Sequence, residues 1–104
     1  EDMADASVHI LLNTDFHSLC PQDGSPIRNC HVNIGMGKEI TIGELAQLIA
    51  RTIGFEGRIE WDSTKPDGTM RKLTSVEKLH SLGWHHQVEI EDGVQRLFDW
   101  YRTH

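Results

Sequence analysis

The sequence predicts an α/β fold with α+β character, its elements running α-β-α-β-α-α. Three observations point there. Thr41 and Glu44 form a capping box that opens an apolar, helically spaced stretch over residues 42–53. Short alternating segments lie on either side of it, near 31–34 and 58–61. The closing residues repeat apolar side chains at helical spacing. Two short strands flanking a helix suit parallel pairing through a crossover. Two strands alone make a poor sheet, so this architecture calls for neighbouring strands from elsewhere.

The first helix is expected over residues 2–13, where Met3, Ala4, Val8, Ile10, Leu11 and Leu12 supply the apolar content. Asp2 and Asp5 lie in its first turn, where the helix dipole favours negative charge. The chain thus opens within a helical turn that nothing sets up, which reads as a piece of something longer. Residues 14–29 are rich in Asn, Asp, Ser, Pro and Gly without periodicity, so an exposed connection is expected. Cys20 and Cys30 flank its polar centre at Pro21, Gly24 and Pro26. A disulfide there is open to them, but two cysteines without a secretory signal point to reduced thiols.

Cys30 to Gly35 alternates as a strand does, and Gly35-Met36-Gly37 turns the chain. In the main helix Ile42, Leu45, Ala46, Ile49, Ala50 and Ile53 form one face, and Gly54 closes it. Residues 58–61 give the second strand. Ser75 is placed to cap a short helix over residues 76–82 that stops at Gly83. The last helix spans residues 89–101, with Ile90, Val94, Leu97, Phe98 and Tyr101 on one face and Glu91 and Asp92 in its first turn. Trp61, Trp84 and Trp100 are expected in the core or against a sheet.

Composition narrows the function. In 104 residues, 16 acidic side chains against 10 basic ones give a net charge of −6, which argues against a nucleic-acid or anionic-membrane surface. The longest apolar run, Ile10-Leu11-Leu12, is far too short to span a membrane, and no signal-peptide pattern is present, so a cytoplasmic location is expected. Against this acidic background, residues 58–72 carry Arg58, Lys65, Arg71 and Lys72 opposite Glu60, Asp62 and Asp67. An anion would find that segment first.

Within it, Pro66 fixes one φ angle and Gly68 permits a turn that other residues resist. The loop follows a strand-like run, the place where α/β proteins hold ligands. Lys65, Arg71 and Lys72 are donors suited to phosphate, and Asp67 is an acceptor suited to sugar hydroxyls. The plainer reading makes Asp67 a turn residue bonded to its own backbone, Lys65 and Arg71 solvated charges, and Lys72 a counter-charge to nearby carboxylates. His85-His86, with His80 before them, completes no zinc pattern, so no metal ligand is assigned. Gly35-Met36-Gly37 lacks the third glycine and the ribose-binding acid of a dinucleotide loop, so no cofactor-binding residue is assigned. No nucleophile–base pair is evident, and no catalytic residue is assigned.

Several segments, taken in order, resemble the carboxy-terminal part of the GDP-L-fucose synthase family of extended short-chain dehydrogenase/reductases. They are Glu-Asp-Met-Ala-Asp-Ala-Ser at 1–7, His-Val-Asn-Ile-Gly at 31–35, Thr-Ile-Gly-Glu-Leu-Ala-Gln at 41–47, Lys-Pro-Asp-Gly-Thr-Met-Arg-Lys-Leu at 65–73, Leu-Gly-Trp at 82–84 and the closing helix. Asn33-Ile34-Gly35 and Leu82-Gly83-Trp84 mark the wider sugar-nucleotide epimerase/dehydratase superfamily. The Lys-Pro-Asp-Gly-Thr element is specific, because related enzymes carry an Arg-Pro-Gly-Asp-type loop there. Met70, where proline is common, and Ser75, where Asp often caps, depart mildly from the pattern.

The resemblance implies an NADP-dependent enzyme that epimerises GDP-4-keto-6-deoxy-D-mannose at C3 and C5 and reduces C4 to give GDP-L-fucose. It implies a homodimer whose amino-terminal Rossmann domain holds NADP and the catalytic groups. Cys20, Cys30 and the seven histidines match none of those groups. Residues 1–104 are then a single substrate-binding domain without the Rossmann part, in which Asp67 looks like a ligand of the GDP portion, with Lys65, Arg71 and Lys72 near it. The rival expectation is a non-catalytic binding or interaction domain derived from such an enzyme, its exposed apolar surface reused for a protein partner.

Overall fold

The computed structural model describes residues 1–104 and contains five helices and no β-strand. They are α1 (Asp2–Asn13), α2 (Phe16–Leu19), α3 (Ile42–Ile53), α4 (Glu77–Ser81) and α5 (Ile90–Thr103). The chain divides into two compact units: Glu1–Lys38 with Thr74–Val88, and Glu39–Leu73 with Glu89–His104.

The α/β expectation is therefore overturned: residues 31–34 and 58–61 form no ladder. A strand exists only through hydrogen bonds to a neighbour, whatever its own side-chain alternation. These segments fall in different units and find no neighbour within them. The alternation at 31–34 still has a use, since Val32 and Ile34 pack against the helical core of the first unit.

That core is Ala6 from α1, Leu79 from α4 and Trp84 just beyond it, with Ile10 packed alongside. Ala6 and Leu79 are 0% exposed and Trp84 is 4% exposed. Polar contacts tie the first helix to residues far along the chain. Trp84 Nε1 donates to Asp5 Oδ2 at 2.8 Å, so the buried indole leaves no orphan donor. The backbone amides of Gln87 and Val88 both donate to Asp2 Oδ2 at 3.0 Å. The Val88 amide bond, foremost, holds the Asp2 carboxyl below its ordinary range. His9 Nε2 lies 2.8 Å from the Leu82 carbonyl oxygen. Gly37, at φ +72°, sits where an added Cβ would come within 2.8 Å of the buried Val76 side chain, so glycine is required there twice over.

Two local expectations change in this unit. Val76, not Ser75, occupies the cap position of α4, and no side chain caps that helix, which is confined to Glu77–Ser81. The connection over residues 14–29 contains the short helix α2, one turn with no apolar repeat to announce it. Gly83, at φ +87°, ends the α4 region as expected.

In the second unit α3 packs against α5. The capping box is present in full: Glu44 N donates to Thr41 Oγ1 at 3.1 Å, and Thr41 N donates to Glu44 Oε2 at 2.9 Å. Gly54 closes α3 in the left-handed region, φ 70° and ψ 33°. Leu48 is the buried residue of α3. Of the three tryptophans expected inside, only Trp84 is buried; Trp61 and Trp100 are 61% and 57% exposed. The sheet against which Trp61 was expected to pack does not form here, and Trp100 stacks on His104 with centroids 4.7 Å apart.

Candidate functional site

The charged segment lies wholly in the second unit, between α3 and α5. It begins with an ion pair between Arg58 and Glu60. Asp62 then folds the chain over: its Oδ1 accepts from Thr64 N at 3.0 Å and from Thr64 Oγ1 at 2.6 Å. Lys65 N donates to the Asp62 carbonyl at 3.3 Å. The two Thr64 bonds, the hydroxyl first, hold the Asp62 carboxyl below its ordinary range. The aspartate that bonds the local backbone is therefore Asp62, in an Asx turn five positions before Asp67, the residue expected to do so.

Asp67 is exposed and its carboxylate makes no hydrogen bond or ion pair within the chain; the exposed Lys65 ammonium is likewise uncommitted. Gly68 does not take a left-handed φ, and a Cβ added there would meet open space. The expected need for glycine at that turn is thus not met at position 68, because the Asx turn at Asp62 has already reversed the chain. Met70 stands 98% exposed beside it. Lys72 is also exposed.

Arg71 is held differently. Its Nη2 donates to Glu39 Oε2 at 2.6 Å, and its Nε lies 3.1 and 3.2 Å from the two carboxylate oxygens. This fork-on-fork geometry lowers the Glu39 carboxyl and raises the Arg71 guanidinium relative to their ordinary values, each chiefly through the hydrogen bond to the other. At 72% and 35% side-chain exposure the pair contributes little to stability. It does fix the direction of the guanidinium. Glu39 occupies the Nε–Nη2 edge, which leaves the Nη1 donors of the planar fork available to an anion.

The loop therefore joins Lys65, Asp67, Arg71 and Lys72 on one exposed stretch, and ties Arg71 across the unit to Glu39. Two residues that shape it, Asp62 and Glu39, were not among the expected site residues. Asp62 had a local signal in Thr64 two places on. Glu39 had none, because the pair closes over 32 positions. Elsewhere, His80 and His85 stack with centroids 4.2 Å apart, and no cluster of three or more His, Cys, Asp or Glu side chains is arranged to hold a metal.

No family model matches the chain. It is 42% identical over 101 residues to GDP-L-fucose synthase of Escherichia coli (strain K12), covering 97% of this chain and 30% of that protein. It is 48% identical over 101 residues to GDP-L-fucose synthase 1 of Arabidopsis thaliana, covering 97% of this chain and 28% of that one. Among solved structures, a GDP-6-OMe-4-keto-L-xylo-heptose reductase from C. jejuni superposes with a TM-score of 0.90 at 37% identity, over 98% of this chain and 29% of that one. A GDP-mannoheptose C4 reductase from Campylobacter jejuni with NADP bound superposes with a TM-score of 0.81 at 34% identity, over 97% of this chain and 29% of that one. The chain thus spans under a third of each of these four proteins, at 28–30% of their lengths. It is homologous to the carboxy-terminal portion of GDP-L-fucose synthase and related GDP-sugar epimerase/reductases, in the NAD-dependent epimerase/dehydratase family.

Proposed function

We propose that these residues are the GDP-sugar-binding part of an NADP-dependent epimerase/reductase, and that its reaction converts GDP-4-keto-6-deoxy-D-mannose to GDP-L-fucose. The observation that carries this reading is the loop at 65–72, where Asp67 and Lys65 stand uncommitted beside an Arg71 aimed by Glu39. Asp67 accepts from hydroxyl groups of the nucleotide, while Arg71 and Lys65 offset diphosphate charge and Lys72 adds to the positive field. Gripping the nucleotide supplies binding energy remote from the sugar carbons, which positions the sugar for reaction. NADP and the groups that move protons and hydride belong to an amino-terminal Rossmann part of the same protein, in a homodimeric, cytoplasmic enzyme. NADP supplies the hydride for C4 reduction.

A second reading follows from the heptose reductases among the structural relatives: the sugar is a GDP-heptose and the chemistry stops at C4 reduction. The loop grips the same nucleotide in either case, so it does not select between them. Steady-state kinetics of the full-length enzyme with both sugars decides that point.

The loop itself is tested by substitution. Asp67→Ala raises KM for the GDP-sugar several-fold with little change in kcat, since one neutral hydrogen bond is worth ~0.5–1.5 kcal/mol. Arg71→Ala raises KM further, a charge-assisted contact being about twice as strong. NADP affinity stays at its wild-type value in both. Wild-type KM in both variants would reduce the loop to a structural turn. A collapse of kcat at unchanged KM would place it against the reacting sugar instead.

A further inference from the structure

The first unit holds a feature that GDP-sugar binding does not use. Cys20, at the end of α2, and Cys30 are both half-buried and unbridged, with their sulfurs 2.9 Å apart. They are separated by ten positions in sequence. The segments that carry them are fastened to each other through α4. Lys78 Nζ donates to the carbonyls of Leu19 at 3.0 Å, Asn29 at 2.7 Å and His31 at 3.1 Å, the residues immediately flanking the two cysteines. Asn29, at φ 53°, is the one non-glycine residue in the left-handed region, and it turns the chain directly into Cys30. Gln22 Nε2 donates to the His17 and Cys20 carbonyls at 2.6 and 2.9 Å, bracing the other side.

We propose that Cys20 and Cys30 form a reversible dithiol–disulfide couple, preassembled by the Lys78 clamp, that staples the 20–30 loop upon oxidation by a low-molecular-weight disulfide. A disulfide needs its sulfurs at about 2.0 Å and its backbones within reach. The clamp supplies that second condition before any bond forms. No third ligand completes a metal site around the pair. The hydrogen bond from Cys30, with burial, holds the Cys20 thiol above its ordinary range despite the pull of Lys78, so Cys20 rests as a thiol.

The chemistry balances without any other reactant. One cysteine, as thiolate, attacks a sulfur of glutathione disulfide; the glutathione S–S bond breaks and one glutathione leaves with the displaced electron pair. The second cysteine, as thiolate, attacks the resulting mixed disulfide at the protein sulfur and expels the second glutathione. The two thiol protons end on the two glutathiones: the protein pair is oxidised and glutathione disulfide is reduced.

Full-length protein is incubated with glutathione disulfide, free thiols are blocked with iodoacetamide, and proteolytic peptides are weighed. The expected product links the Cys20 and Cys30 peptides, two hydrogens lighter than the reduced pair, and dithiothreitol restores both alkylatable thiols. Cys20→Ser instead leaves Cys30 as a lasting glutathione adduct. Lys78→Met slows formation of the link several-fold, while circular dichroism reports that the helices are kept. Two alkylated cysteines after oxidation, a separate glutathione on each, or linkage of either to another cysteine would overturn the proposal. So would an unchanged linking rate in a folded Lys78→Met protein, which would remove the clamp from the account.

Discussion

The two units hold themselves together in different ways. The first buries Ala6, Leu79 and Trp84 and joins Asp2, Asp5 and His9 of α1 to residues 73–86 positions away. The second is built from a helix pair whose one buried side chain is Leu48, 8% exposed. Its charged loop is fastened across the unit by the surface pair Arg71–Glu39. In the first unit Asp2 and Asp5 tie backbone and indole groups, whereas Lys65 and Asp67 of the second face solvent. One unit is held by a buried core, and the other leaves its charged loop at the surface.

The sharpest way to break this contrast is to empty the framework. Trp84→Ala removes the largest core side chain and leaves Asp5 without its donor, so it costs about 3–5 kcal/mol in urea denaturation. Leu48→Ala in the second unit lies nearer the low end of the leucine range, about 2 kcal/mol, because its site is already at the edge of solvent. Equal costs would erase the distinction. Removing a cap comes next: Thr41→Ala loses the hydroxyl that accepts from Glu44 N, keeps the Thr41 backbone N–H, and costs about 1 kcal/mol, measured the same way.

The smallest effect is a titration. Asp2 has its pKa lowered by the Val88 and Gln87 amides, so its contribution is fully present above the unfolded value of about 3.9 and is lost as pH falls through the lower folded value. The Val88 amide resonance should follow that loss, with a midpoint below the ordinary aspartate value. Asp2→Asn should abolish the titration. A midpoint at or above the ordinary value would mean that the tie between the chain's first turn and residues 87–88 is not formed in solution.

These two modes also explain what could be read from the sequence. The capping box and the closing Gly54 are local, each legible within a few positions, and they stand where expected; the expected apolar face does not, since Ile42, Ile49 and Ile53 are exposed and the buried residue of α3 is Leu48. Helices α1 and α5 follow from their own residues, with ends shifted at most slightly. Strands are different objects. Alternation at 31–34 and 58–61 states what those residues would do in a sheet, while the sheet depends on a partner outside the segment. The same limit hid Glu39, whose role arises from Arg71 32 positions away, and the Lys78 clamp, which joins carbonyls 47 to 59 positions away. Trp61 was misplaced for the same reason as the strand that carries it.

The central claim is that residues 62–73 grip the nucleotide of a GDP-sugar. Hydrogen exchange on the full-length protein, with and without saturating GDP, tests it most directly. Protection should rise across 62–73, and Arg71→Ala should reduce it, while amides of the first-unit core keep their rates. Protection by GDP elsewhere, with 62–73 unchanged, would contradict the account.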